Sequence, residues 1–109
     1  MQTLHLIKLE CVKKDDTVGN DEIDVRVDGV TLVGPLSIRR NDVVALNSTT
    51  SFSCSVKVNL LDEDSGLNGA DDDLGTLTIK DTLAGLGDLA GEFHARKGAD
   101  YHLTYRVDA

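Results

Sequence analysis

Asp62 and Asp64 stand two residues apart, and Asp71, Asp72 and Asp73 follow after a segment that contains Gly66 and Gly69. Residues at that spacing reach one ion when the loop curves around it, and the two glycines let the loop fold back so that its ends approach. A second acidic stretch, Lys14-Asp15-Asp16-Thr17-Val18-Gly19-Asn20-Asp21, has the same carboxylate-and-glycine composition. Carboxylates crowded at one end of a small domain repel one another unless a cation neutralises them. Calcium takes six to eight oxygen ligands at adjustable distances, which suits carboxylates on loops. The candidate ligands are therefore Asp15, Asp16, Asp21, Asp62, Asp64, Asp72 and Asp73, with Ca2+ as the cofactor. Glu22 and Glu63 alternate away from their neighbours and are expected in solvent.

Competing chemistries fail on particular residues. A helix-loop-helix calcium hand would use Asp62, Asp64 and Asp73, but its obligatory turn glycine falls on Leu67 and the flanks alternate as strands do. His5, His94 and His102 have no metal spacing with each other or with Cys11 and Cys54, so no zinc site is expected. Gly85-Leu86-Gly87 lacks the strand-to-helix unit of a phosphate loop. Ser, His and Asp occur without a nucleophile elbow, and an enzyme is not expected.

The elements that must position the carboxylates read as strands. Leu4 to Val12 is the first, with Ile7, Leu9 and Cys11 on one face; Leu4 and Leu6 have the opposite phase, which calls for a bulge or for burial of both faces. Ile23, Val25 and Val27 alternate with Asp24, Arg26 and Asp28 up to a hairpin turn at Asp28-Gly29, and Val30 to Val33 returns until Gly34-Pro35. Leu36 and Ile38 precede another apolar run, Val43 to Leu46, and the polar Asn47 to Ser51 is expected as a turn. Phe52 to Leu60 alternates most cleanly and is expected as one central strand, with Cys54 inward. Leu74, Leu77 and Ile79 mark the next strand. Leu83 to Phe93 carries three internal glycines and is expected as a loop with one helical turn. Tyr101, Leu103, Tyr105 and Val107 form the last strand, both tyrosines in the core. The fold class is all-β, an antiparallel β-sandwich. Cys11 and Cys54, both on inward phases, are either packed thiols or a bridge between strands.

Composition bounds the rest. A chain of 109 residues with 40% hydrophobic content makes one domain, 1–109. Its net charge of -8 and pI of about 4.6 exclude nucleic acid as a partner, which needs clustered Lys and Arg. Aromatic residues at 4% with no Trp leave few stacking platforms for sugars. No apolar run reaches a membrane-spanning length, so a soluble chain is expected. Alternation from Leu4 leaves no room for a leader, so the protein works inside the cell or a leader or larger parent has been removed.

Asp16-Thr17-Val18-Gly19-Asn20-Asp21 and the alternating Glu22 to Val27 resemble the first calcium loop and following strand of C2 domains, the calcium-dependent phospholipid-binding family. Leu60-Leu61-Asp62-Glu63-Asp64 and then Asp72-Asp73-Leu74-Gly75 is similar to that family's later strand and loop. Glu22 and Ile23 stand where the family has Pro-Tyr, and no Asn-Pro-x-Trp precedes Phe52. The resemblance, over roughly residues 4 to 80, implies an eight-stranded C2-like sandwich with calcium between loops at one end. It carries Asp15 or Asp16 with Asp21 from the first loop, and Asp62, Asp64 and Asp72 from the later one. It further implies a non-enzymatic module in which calcium orders a surface for an anionic membrane or a protein partner. Val18 and Leu67 are the only apolar loop-tip candidates for lipid, and Arg39, Arg40 and Lys57 offer little basic surface. The alternative function is a structural or assembly module that self-associates or attaches to a larger particle, uses calcium for rigidity, and offers the last strand as a pairing edge.

Overall fold

The structure is a computed structural model that describes residues 1–14, 20–63, 72–94 and 98–109. Eight strands follow one another: β1 (Gln2–Lys13), β2 (Asp21–Val27), β3 (Val30–Ile38), β4 (Val43–Phe52), β5 (Ser55–Asp62), β6 (Asp72–Lys80), β7 (Leu89–Phe93) and β8 (Asp100–Asp108). They form two four-stranded antiparallel sheets, ordered β4-β1-β8-β7 and β3-β2-β5-β6. The inward residues of both sheets make one core, which includes Leu4, Leu6, Leu9, Val25, Val58, Leu60, Leu103 and Val107. Tyr101 and Tyr105 belong to that core, as their phase predicts.

Consecutive strands run in opposite directions, so connections alternate between two ends. Lys13, Asp21, Ile38, Val43, Asp62, Asp72, Phe93 and Asp100 are the strand residues at one end, the acidic end. The Asp28-Gly29 turn, Ser53-Cys54, the 81–88 connection and both chain ends lie at the other. Asp28 and Gly29 have φ of 49° and 84°, which suits the tight hairpin that an Asp-Gly pair predicts.

The double phase of β1 resolves as a bulge. Its register slips between Leu6 and Lys8 against both β4 and β8, so Leu4, Leu6, Leu9 and Cys11 all turn inward. Ile7, expected on the inner face, is the residue at the slip and is only half-buried.

Other expectations are corrected. Asn47 to Ser51 is not a turn but part of β4, an outer strand whose solvent side carries polar residues; Asn47 takes a φ of 48° at the slip opposite Ile7. Phe52 to Leu60 is not one strand. Ser53-Cys54 carries the chain from one sheet to the other, and Phe52 and Val56 keep their inward phase across the crossing. Cys54, with a φ of 66°, is therefore exposed, whereas Cys11 is buried, and both are free thiols. β3 does not stop at Gly34-Pro35, whose peptide bond is cis, but continues to Ile38.

Leu83 to Phe93 is not all loop. Asp81–Leu83 is a 3-10 turn, and Leu89–Phe93 is β7, where the lack of a side chain at Gly91 leaves room for Leu77 of the facing sheet. The last strand is not a free edge, because β8 lies between β1 and β7.

Candidate metal centre

Asp21 opens β2, Asp62 closes β5 and Asp72 opens β6, so alternation along three adjacent strands delivers three carboxylates to the acidic end of one sheet. The register ties them together: Ile23 pairs with Asp62, and Asp62 pairs with Asp72. Asp62 shares the inward phase of Val56, Val58 and Leu60, and Asp21 that of Ile23 and Val25. Both therefore cap the mouth of the core and are buried, while Asp72 is half-buried.

Each buried carboxylate is held by a hydrogen bond. Tyr101 on the opposite sheet donates its hydroxyl to Asp21 Oδ2, and the backbone N–H of Glu22 donates to Asp62 Oδ1 at 2.9 Å. Glu63 N–H donates to Glu22 O at 2.8 Å, which closes the end of the β2–β5 pair. Burial first, and then the bond to Asp21, push the Tyr101 hydroxyl far above its ordinary range, so it stays protonated and a donor. Cys11 lies behind it. Burial raises its thiol most, the hydrogen bond with Tyr101 lowers it, and the charges of Asp21 and Asp42 raise it again. The outcome is a protonated thiol in the core rather than a nucleophile.

The remaining candidates separate. Asp73 is exposed and accepts from Asn59 Nδ2 and from Gly75 N–H, both at 2.9 Å, so Oδ1 is committed to its own end of β6. Asp15, Asp16 and Asp64 lie outside the described residues, as do Val18 and Leu67. Among the described residues, no three His, Cys, Asp or Glu side chains converge to hold an ion. Asp21, Asp62 and Asp72, on neighbouring strands, offer only oxygen donors, the donor type that a hard cation takes. Glu22 is exposed, as alternation predicts.

Arg39, at 73% exposure, and Arg40 sit at the same end, in the β3–β4 connection. That connection is held by Asn41 N–H on Cys11 O (2.7 Å), Cys11 N–H on Asp42 O (2.9 Å) and Arg39 N–H on Asp42 Oδ2 (2.9 Å).

Sequence reasoning missed two polar sites. Tyr101 and Asp21 are remote in sequence, so no local pattern links them. Asp24 alternates as an outward residue yet is buried under β3, because the β2–β3 register slips between Ile23 and Val25. Its Oδ2 accepts from Arg26 Nε (2.8 Å) and Thr31 Oγ1 (2.9 Å), and no hydrogen bond reaches its Oδ1 from the described residues.

His5 and His102 pair with carboxylates of the first sheet. His5 Nε2 lies 2.7 Å from Asp108, and His102 Nε2 lies 3.2 Å from Glu92 and 3.1 Å from Asp100. His5 also lines a groove of about 390 Å3 on the outer face of the first sheet, with Ile7, Asn47, Thr49, Asp88 and Arg106.

The architecture matches solved structures over its whole length. One, described as the structure of a C2 domain, superposes with a TM-score of 0.67 at 14% identity and covers 100% of both chains. The fold is that of a C2 domain. A second match is to the tandem C2 domains of Extended-Synaptotagmin 2, with a TM-score of 0.58 at 20% identity; it covers 97% of this chain and 40% of that one. No protein-family model and no curated protein matches the sequence. Among the described residues, no helix is long and apolar enough to cross a membrane.

Proposed function

We propose that the chain is a non-catalytic calcium-binding module whose acidic end, once loaded, docks on an anionic membrane surface. The observation that carries this reading is the placement of Asp21, Asp62 and Asp72 on three adjacent strand ends, two of them buried at the mouth of the core. Burying a carboxylate is costly unless it is both hydrogen-bonded and paired with a cation. A calcium ion held by Asp21, Asp62 and Asp72, with Asp15 or Asp16 and Asp64 from the neighbouring connections, would cancel their repulsion and fix the loop shape. Asp73 would support the end of β6 and lend charge. Arg39 and Arg40, exposed at the same end, would then meet lipid phosphates without an opposing acidic field.

Melting in EDTA and in millimolar calcium tests the metal. Saturation at about 100-fold above the dissociation constant adds about 2.7 kcal/mol. Asp62→Asn retains the Oδ1 acceptor for Glu22 N–H but removes the charge, so its midpoint in EDTA stays near that of the parent while most of the calcium shift is lost. A parent protein whose midpoint ignores calcium overturns the reading; an undiminished shift in Asp62→Asn overturns the placement of the site. Co-sedimentation with phosphatidylserine vesicles tests the partner: binding in calcium and release by EDTA are expected, and no binding in either condition overturns membrane docking.

A further inference from the structure

Each sheet has two outer strands, and they are protected unequally. β3 is interrupted by Gly34 and Pro35; β6 carries Asp72, Asp73 and Lys80; β7 is only five residues long and bears Glu92. Proline, charge and shortness are the usual devices that stop an edge from recruiting another strand. β4 has none of these three; its one device of this kind is the bulge at Asn47. From Val43 through Phe52 it contains neither proline nor a charged side chain, although 28% of the chain is charged. Its backbone ladder runs to β1 alone. The slip at Asn47 divides it, and Ser48–Phe52, the part beyond, pairs with β1 without a break.

We infer that the Ser48–Phe52 half of β4 pairs antiparallel with the same segment of a second copy of this chain, about a two-fold axis at Thr50. The segment is self-complementary. Thr50 would face Thr50 of the other copy on the inner side, and Thr49 would face Ser51 on the solvent side, where both are exposed. Thr–Thr and Thr–Ser pairs directly opposite one another favour antiparallel pairing, and a two-fold interface requires this kind of self-matching.

The charge distribution permits the same occupant. A chain with net charge -8 resists its own copy if acidic ends come together. Antiparallel pairing near the terminal end of β4 sends the two acidic ends in opposite directions. Val43, where β4 begins, would lie about 23 Å from the axis at ~3.3 Å per residue. The two acidic ends would then be separated by several times the ~8 Å screening length. The β4-β1-β8-β7 sheets of the two copies would join into one eight-stranded sheet, with the acidic centres free at both ends.

The test is sedimentation equilibrium over a concentration series up to about 100 μM, the range for a small interface, in EDTA so that calcium plays no part. A concentration-dependent dimer is expected. Thr49→Lys combined with Ser51→Lys places ammonium groups opposite one another and gives a monomer with an unchanged melting midpoint. The same two charges on the β6 edge, Thr76→Lys with Thr78→Lys, leave the dimer intact. In a Cys54→Ser background, mild oxidation of Thr50→Cys yields a covalent dimer in non-reducing gels, because the axis sets the two thiols opposite each other. A parent chain that stays monomeric throughout overturns the inference. So does a dimer that survives the β4 lysines, or one that the β6 lysines dissociate.

Discussion

Asp21 owes its position to a residue on the other sheet. Tyr101→Phe keeps the ring in the core but removes the donor to a buried carboxylate, and loss of such a bond costs about 1–3 kcal/mol. The urea midpoint of Tyr101→Phe should fall accordingly at neutral pH. The pair also sets the alkaline behaviour. Burial raises Tyr101, Tyr105 and Cys11 above their ordinary values of 10.0 and 9.0 in the folded chain. Above those values the unfolded chain releases protons that the folded chain retains, so this contribution is complete below about pH 9 and declines as pH rises. Tyr101→Phe removes one of the three groups, and its stability should fall less steeply between about pH 9 and 11 than that of the parent; an equal slope would refute the assignment. The carboxylates were legible in the sequence because acidic residues around glycines are conspicuous. Tyr101 was not, because its partner is determined by how two sheets face each other.

At the scale of elements, strict alternation was a sound guide where a strand carries no bulge, as in β8. It misled at Phe52 to Leu60, because a two-residue crossing preserves the inward phase while changing the sheet. Polar Asn47 to Ser51 and glycine-rich Leu89 to Phe93 both lack the apolar signal of a buried strand. The first lies on an edge, and the second needs Gly91 for close packing against Leu77. Gly34 is a demanding backbone position. With a φ of 122°, a Cβ there would sit 2.6 Å from the backbone oxygen of Ile23 and 3.3 Å from Asp24 Oδ1. Neither contact can yield without moving β2 or the buried Asp24. Gly34→Ala should cost about 2–4 kcal/mol through strain and overpacking. Gly85→Ala, at a φ of 83° with nothing within 4 Å, should cost only about 1 kcal/mol. Denaturant midpoints compare the two; equal losses would mean that β3 does not press on β2 at this point.

The whole molecule divides its chemistry between its ends. Asp21, Asp62 and Asp72, with Arg39 and Arg40, gather at one end, while the ion pairs of His5, Arg106 and Asp108 and the groove beside them lie toward the other. Periodicity predicted the strands, but this polarity emerged only from their order and direction. Thr3 pairs with Asp108 across neighbouring strands, so the first and last residues of the sandwich meet side by side, far from the candidate calcium ligands. A short glycine linker can therefore join them, and the chain can be reopened at Gly85–Gly87, an exposed stretch in the 81–88 connection. Such a circular permutant should retain the calcium-dependent shift in melting midpoint, because neither the splice nor the new opening touches the acidic end. The same adjacency makes the sandwich a cassette: placed within a surface loop of a host protein, it would hold its acidic end outward, like a head on a two-stranded stalk.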